Sequence, residues 1–322
     1  MTNLTLLIAC PECKSDLLLN NDSYECSSCK DKEKSNFKII HNVPVLMTGI
    51  ETDYNQKFWD EGWQNRKEKS DFKFVNLPDK QYKKIIDDQI KQTLKFEKPL
   101  SYLNAKKTDI ILNVGCGLSE ASGFSAMKFE NYIGLDFSFK AALGSLKNIR
   151  KYNETGITIQ ANAEKLPIKD NTIDIVYSSG VLHHTPNINH TLIEIKRVLK
   201  PNGQAVIGLY NSNSPKFLMA KLKNKINNLF KKETMQWYEN TETSWQANNN
   251  LNPWSETFSY KQIQDLFKCS GLKNITINKT NFQWGDSLPI IGKYINKIKF
   301  IPKSSHFLRK NFGSMWVIIA KK

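Results

Sequence analysis

Two pairs of cysteines open the chain: Cys10-x2-Cys13 and Cys26-x2-Cys29, with twelve residues between the pairs. Two such knuckles hold their thiolates on tight turns, so four sulfurs can converge tetrahedrally on one zinc ion. A redox pair would call for a βαβ context, and disulfides for an oxidising compartment; the text shows neither. Cys10, Cys13, Cys26 and Cys29 are therefore expected to ligate a structural Zn2+. A closed four-cysteine site has no open coordination position, so this module is expected to hold shape rather than to do chemistry.

The second chemical signal is "ILNVGCGLSE" at 111–120, a buried-strand pattern running into Gly115-Cys116-Gly117. Glycines there let the backbone turn sharply and approach a ligand without a Cβ clash. Asp136 follows 21 residues after Gly115, at the end of the next apolar run. A carboxylate in that place can accept both hydroxyls of a ribose, in dinucleotide sites and in S-adenosylmethionine sites alike. Glu120 stands where the pattern G-x-G-x-x-G would close. An acid there would repel a pyrophosphate at the helix N-terminus, whereas S-adenosylmethionine carries a sulfonium and an ammonium and no phosphate. Asn113 occupies a strand position where an acid is often found. Further on, "GVLHHTPN" places His183 and His184 after another strand, with Tyr210 and Asn211 ending a later one. Imidazole titrates near neutral pH, so one histidine could take a proton from an acceptor hydroxyl or amine. Of the two, His184 is the expected base, with His183 packing back beneath the cofactor; the competing reading is that the pair only shapes the pocket and alignment does the rest. Cys116 reads as a small loop residue and Cys269 as a core thiol.

These residues need a scaffold, and the surrounding text supplies one. "DIILNV" (109–114), "YIGLD" (132–136), "ITIQA" (157–161), "TIDIVYSS" (172–179) and "GQAVIGLY" (203–210) read as strands. Helical stretches alternate with them: one from about 118, "SFKAALGSLKNIRK", and "INHTLIEIKRVLK" at 188–200 stopped by Pro201-Asn202-Gly203. Alternation of this kind argues for an α/β fold with a doubly wound parallel sheet, whose ligands sit at the carboxyl ends of the strands. Ahead of it, "KSDLLLNNDSYE" reads as a hairpin between the cysteine pairs and "FKIIHNVPVLMTG" as a strand pair around a His-Asn turn. Tyr82, Ile86, Ile90 and Leu94, four apart, predict an amphipathic helix before the glycine loop.

The stretch "ANAEKLPIKDNTIDIVYSSGVLHHTPN" followed by "EIKRVLKPNGQAVI" closely resembles class I S-adenosylmethionine-dependent methyltransferases of the ubiquinone/menaquinone-methyltransferase-like group, the type 11 domain. The resemblance covers about 108–210 and continues weakly in "NPWSETFSYKQIQDLFKCSGL" and "SMWVIIAKK". It implies a Rossmann-like sheet and S-adenosyl-L-methionine as cofactor. It also implies roles: Gly115 and Gly117 beneath the methionine part, Asp136 on the ribose, and Phe137 against the adenine. Asn162 and Ala163 would contact the adenine edge, and Ser178 with Ser179 and Gly180 would lie beside the transferable methyl. Asn113, Ser119 and Asn162 depart from the family pattern, which implies weaker cofactor binding. Residues 10–47 resemble the small zinc ribbons of the tRNA-methyltransferase-activator type.

The expected organisation is a zinc ribbon at 1–50, a helical linker at 51–107 and a methyltransferase domain at 108–322 with a cap insertion at 212–258. Within the insertion, "PKFLMAKLKNKINNLFKK" (215–232) sets Leu218, Leu222, Ile226 and Leu229 on one face among lysines. That is either a cap helix packed over the active site or a basic amphipathic helix touching anionic lipid. Trp237, Trp245 and Trp254 could wall a substrate pocket. Net charge is +15, yet arginine occurs only at Arg66, Arg150, Arg197 and Arg309. Arginine is the residue that forks onto phosphates and bases, so its scarcity weighs against nucleic acid. No run reaches a transmembrane length, no secretory signal is visible, and a cytoplasmic protein is expected. The leading expectation is methyl transfer to an O, N or C atom of a small-molecule metabolite. The alternatives are an RNA methyltransferase gripping rRNA or tRNA through the ribbon, and a non-catalytic cofactor-binding partner.

Overall fold

The computed structural model describes residues 3–29, 35–48, 53–69, 78–95, 98–118, 129–151, 153–229, 236–239, 252–282 and 305–322. At the front, β1 (Leu17–Asn20) and β2 (Ser23–Cys26) form the expected hairpin, and β2 pairs with β3 (Asn36–Ile40). β3 turns into β4 (Val43–Leu46) through His41 and Asn42, at φ 51° and 65°. Positive φ at both positions is what a two-residue type I′ hairpin requires. β4 then runs parallel to β7 (Ile157–Ala161), with Val45 opposite Gln160 and Leu46 opposite Ala161. One hydrophobic cluster accordingly joins Leu4, Ile8, Tyr24 and Phe37 to Ile159, Ala161, Leu166 and Ile168.

The remaining strands are β5 (Ile110–Val114), β6 (Asn131–Asp136), β8 (Ile173–Ser179), β9 (Leu199–Tyr210), β10 (Lys273–Thr280) and β11 (Met315–Lys321). From the ribbon edge the order is β4-β7-β6-β5-β8-β9-β11-β10. Pairings from β4 to β9 are parallel, and β11 lies antiparallel between β9 and β10. Every residue of β5 is buried, as in a strand covered on both faces. β6 and β8 flank it on opposite sides, so the strand order reverses there, at the switch point where doubly wound sheets bind ligands.

The described α-helices are α1 (Asp53–Lys69), α2 (Asp79–Lys95), α3 (Phe139–Ile149), α4 (Ile188–Val198), α5 (Pro215–Leu229), α6 (Tyr260–Ser270) and α7 (His306–Phe312). No helix among the described residues is long and apolar enough to cross a membrane. Four sequence expectations need comment. α4 stops at Val198, two residues early, because Pro201 disfavours helical backbone at Lys200, and Leu199 already pairs with Ile173. On α2, Tyr82 and Ile86 are buried but Leu94 is exposed, so only the first half of the stripe packs. Cys269 is exposed rather than in the core, because the buried stripe of α6 is Ile263, Phe267 and Ser270. The helix expected from about 118, with Ser119 and Glu120, lies outside the described residues.

Candidate active site

The site is built at the carboxyl ends of β5, β6 and β8. Leaving β5, the N–H groups of Gly115 and Cys116 both donate to the Leu135 carbonyl, at 2.7 and 2.9 Å, which ties the loop to the end of β6. Gly115 and Gly117 have φ of +75° and +47°, where a Cβ is strained. Space forbids one as well: at Gly115 it would lie 2.1 Å from Cγ2 of Val181, and at Gly117 2.9 Å from Cη2 of Trp63. Asp136 is buried; its Oδ2 accepts from the Gly117 N–H and its Oδ1 from the Ser138 N–H, both at 2.9 Å. Burial pushes its pKa up to about 6 against those N–H donors, and the nearby charge of Asp60 adds to the rise. Asp60, on α1, itself accepts from the Ser138 hydroxyl and from the Lys140 N–H.

Other expected contacts fall around this corner. Asn113 is buried and donates to the Tyr132 hydroxyl at 3.0 Å, while its Oδ1 has no partner among the described residues. Phe137 is half-buried, and its carbonyl accepts from Nε2 of Gln160. The Asn162 side-chain oxygen caps the one-turn helix Ala163–Lys165 through the Glu164 N–H, and Ala163 is buried. Ser178 is buried and donates to the Val114 carbonyl, which ties β8 to β5. Gly180 follows at φ +76°.

His183 and His184 sit on the short 3-10 turn Leu182–His184 and have different surroundings. The His183 ring is buried, stacked 3.6 Å from the Tyr210 ring, and neither of its nitrogens has a hydrogen-bond partner among the described residues. Burial, helped by His184 and Lys216, drives its pKa well below the usual range, so the ring is neutral. Nδ1 of His184 is 2.9 Å from the Trp254 carbonyl, which can only accept; this fixes the proton on Nδ1 and makes Nε2 the basic nitrogen of the neutral ring. From Tyr210 an aromatic row continues through Phe217, Trp237, Tyr238 and Trp254, with centroids 4.5 to 5.9 Å apart. Asn211 is committed elsewhere, donating to the Gly313 carbonyl and accepting from the Asn213 N–H. Trp245 lies outside the described residues.

The sequence model of the family described as "Methyltransferase domain" matches residues 112–207, the segment that carries the glycine loop, Asp136 and both histidines. The segment 112–207 is a methyltransferase domain. The chain is similar to an uncharacterized protein of Methanocaldococcus jannaschii, 28% identical over 76% of this chain and 87% of that protein. It is 29% identical to a demethylmenaquinone methyltransferase of Lactobacillus johnsonii over 57% of this chain and 75% of the relative. A ubiquinone biosynthesis O-methyltransferase of Dechloromonas aromatica is 31% identical over 34% of this chain, and the match spans 48% of that enzyme.

Helix α1 supplies the contacts that sequence reasoning missed around this methyltransferase domain. Trp63 lies on Gly117, Asp60 on Ser138, and Trp59 meets the His184 ring edge-on at 4.9 Å. Trp59 and Trp63 are four apart in an otherwise charged segment, the one signal that they share a face.

The cysteine set is also assembled. The four Sγ atoms lie within 4.8 Å of one another, with Cys10–Cys29 at 3.7 Å, Cys13–Cys26 at 3.4 Å and Cys13–Cys29 at 3.5 Å. Sulfurs at ~2.3 Å from a tetrahedral zinc stand ~3.8 Å apart, so the set fits that ion. Hydrogen bonds from Ser15 lower the Cys13 thiol to about 6, while burial raises Cys10. The knuckle is fastened to the methyltransferase domain by the Lys14 ammonium, which donates to the carbonyls of Pro11 and Leu166 and, at 2.9 Å, to Glu194.

Proposed function

We propose that the protein transfers a methyl group from S-adenosyl-L-methionine to an oxygen, nitrogen or carbon atom of a small-molecule metabolite. The matched methyltransferase domain supports the activity. The observation that carries the site assignment is Asp136, held by two N–H groups beside the glycine loop and within the same strand-end cluster as the paired histidines. Its carboxylate oxygens keep lone pairs beyond those two bonds, and these suit ribose hydroxyls. Oδ1 of Asn113, without a partner among the described residues, suits an ammonium donor. Gly115 and Gly117 would lie under the amino-acid part, Phe137, Asn162 and Ala163 at the adenine, and Ser178 at the end of β8.

When bound, S-adenosylmethionine supplies a methyl group activated by its sulfonium. The chain aligns an acceptor and, for a hydroxyl or amine, removes its proton. His184 is the proposed base, acting through Nε2 while the Trp254 carbonyl holds Nδ1–H. His183, neutral and stacked on Tyr210, is a wall of the acceptor pocket. Cys10, Cys13, Cys26 and Cys29 hold a structural Zn2+ in a ribbon of residues 1–50. Residues 51–107 form the connecting helices, and 108–322 the catalytic domain with its cap at 212–258. Labelled S-adenosylmethionine incubated with separate small-metabolite and RNA fractions of the source cell tests the substrate class. Label in the metabolites is expected; label in RNA alone would overturn the metabolite assignment, and no transfer with intact cofactor binding would leave a non-catalytic partner.

A further inference from the structure

Helix α5 is packed the opposite way round from an ordinary surface helix, which buries its apolar stripe. Its inward side carries the buried Phe217 and the half-buried Ala220, Lys221, Asn224 and Asn228, with Pro215 and Lys216 half-buried at its start. Phe217 lies against Tyr210, and Lys221 donates to the Thr257 hydroxyl. Leu218, Leu222, Ile226 and Leu229 all face outward with Met219 beside them; Leu222 is 50% and Leu229 73% exposed. At 100° per residue Lys225 borders this stripe on one side and Lys223 on the other, both exposed, whereas Lys216 turns inward over the Tyr210 and Phe217 rings. No Asp or Glu occurs between Glu194 and Glu233, so nothing on the helix offsets these cations.

We infer that the outer face of α5 docks on an anionic lipid surface. The helix has the two parts such binding needs: an apolar strip to enter the acyl boundary, and flanking cations to meet the headgroups. A nucleic acid would use the lysines and leave five exposed apolar side chains in water, and the helix has no arginine to fork onto phosphate. A second copy fits no better. A two-fold interface sets a patch against itself, which here would bring lysine against lysine with no acid on the helix to pair them. Because Phe217 on the inner face touches Tyr210, a bound membrane lies about one helix diameter, ~10 Å, from the aromatic row. The docking itself does not depend on the proposed methyl transfer.

The test is flotation of the full chain with phosphatidylcholine vesicles, with and without phosphatidylglycerol. Wild-type protein should float with the anionic vesicles, much less with neutral ones, and less as salt is raised. Leu222→Gln with Ile226→Gln, both at exposed positions, should lower the partition coefficient at least ~10-fold. Lys223→Gln with Lys225→Gln should lower it roughly fivefold per lysine and flatten the salt dependence. Coincident thermal unfolding of the variants and the wild type ties any loss to the surface. Wild-type protein that stays with the soluble fraction overturns the inference, as does flotation indifferent to Leu222→Gln with Ile226→Gln. It is also overturned if the apolar pair abolishes self-association in sedimentation while vesicles bind neither protein. Retention on RNA without vesicle binding has the same consequence.

Discussion

Asp136 is at once an expected cofactor ligand and an expected source of instability, and Asp136→Asn separates the two. The carboxyl is buried and its pKa stands near 6 instead of 3.8, so between those values the folded chain holds a proton that the unfolded chain has released. Folded stability therefore falls as pH rises from about 4 to about 6 and then levels off. At 1.36 kcal/mol per pH unit the penalty of ionised Asp136 above pH 6 is about 3 kcal/mol. Asparagine keeps the shape and never ionises. It can still accept from one of the Gly117 and Ser138 N–H groups but turns an NH2 toward the other, a loss of about 1 kcal/mol. That loss is present at every pH, whereas relief of the ionisation penalty is small at pH 4 and complete at pH 8. The stability of the variant relative to wild type should thus improve by about 2.5 kcal/mol between pH 4 and pH 8. Urea unfolding of both proteins at the two pH values measures it, and every other titrating group, the cysteines included, cancels in the difference. Meanwhile calorimetry should show affinity for S-adenosylmethionine at least ~10-fold weaker, since each hydrogen bond to a charge is worth ~1.5–3 kcal/mol. A stability difference that does not move with pH would refute the buried, ionisable Asp136, and an unchanged affinity would remove it from the cofactor site.

His184→Gln should lower turnover by ~10²–10⁴ and remove the acidic limb of the pH–rate profile, with cofactor affinity unmoved; near-normal turnover would make the pair a pocket wall. Metal analysis should find one zinc per chain, with Cys10→Ser abolishing it; four freely titratable thiols in a zinc-free protein would contradict the ribbon. Trp63→Ala should speed release of S-adenosylmethionine roughly tenfold, the equivalent of about 1.4 kcal/mol of contact, as stopped-flow fluorescence would show. An unchanged release rate would mean that α1 does not cover the bound cofactor.

The sheet was legible because its strands are short, almost wholly apolar runs broken by turn residues, and the glycine loop and Asp136 fall at two of their ends. Both ribbon hairpins were readable from Asn21 and from His41-Asn42, residues that tolerate a left-handed backbone. What escaped depends on partners remote in the chain. α1, "DYNQKFWDEGWQNRKEK", has no apolar stripe to announce a buried side, and Trp63 and Trp59 meet Gly117 and His184, more than fifty residues on. The stripe on α5 was plain in the sequence, but periodicity reports only that apolar residues share a face, not which face the protein covers. Loop position alone favoured His184 over His183 as the base, but the contacts that separate the two rings were not legible. Adjacent in sequence, they differ because one ring is stacked on Tyr210 and the other is held by the Trp254 carbonyl.

The junction between the cysteine knuckles and the sheet shows how a zinc ion held by the knuckles would bear on the proposed cofactor corner. Three connections converge around Asn162 and Ala163, on the end of β7 and on the segment that follows it. β4 covers the edge of β7 at Gln160 and Ala161. Ala9 donates to the Pro167 carbonyl, and Lys169 to that of Leu7. Lys14 reaches Glu194, which is also gripped by Nε and Nη2 of Arg197, while the same guanidinium donates to the carbonyls of Leu166 and Ile168. The carboxylate thus serves two cations, one from each side of the junction. Losing the knuckle would leave the Leu166 carbonyl and Glu194 each short of a donor, and would bare strand-edge groups at β7 that the sheet now pairs. A closed zinc site, as proposed, would need no chemistry of its own to matter here, because β7, which the ribbon covers, is a neighbour of the strand that ends in Asp136.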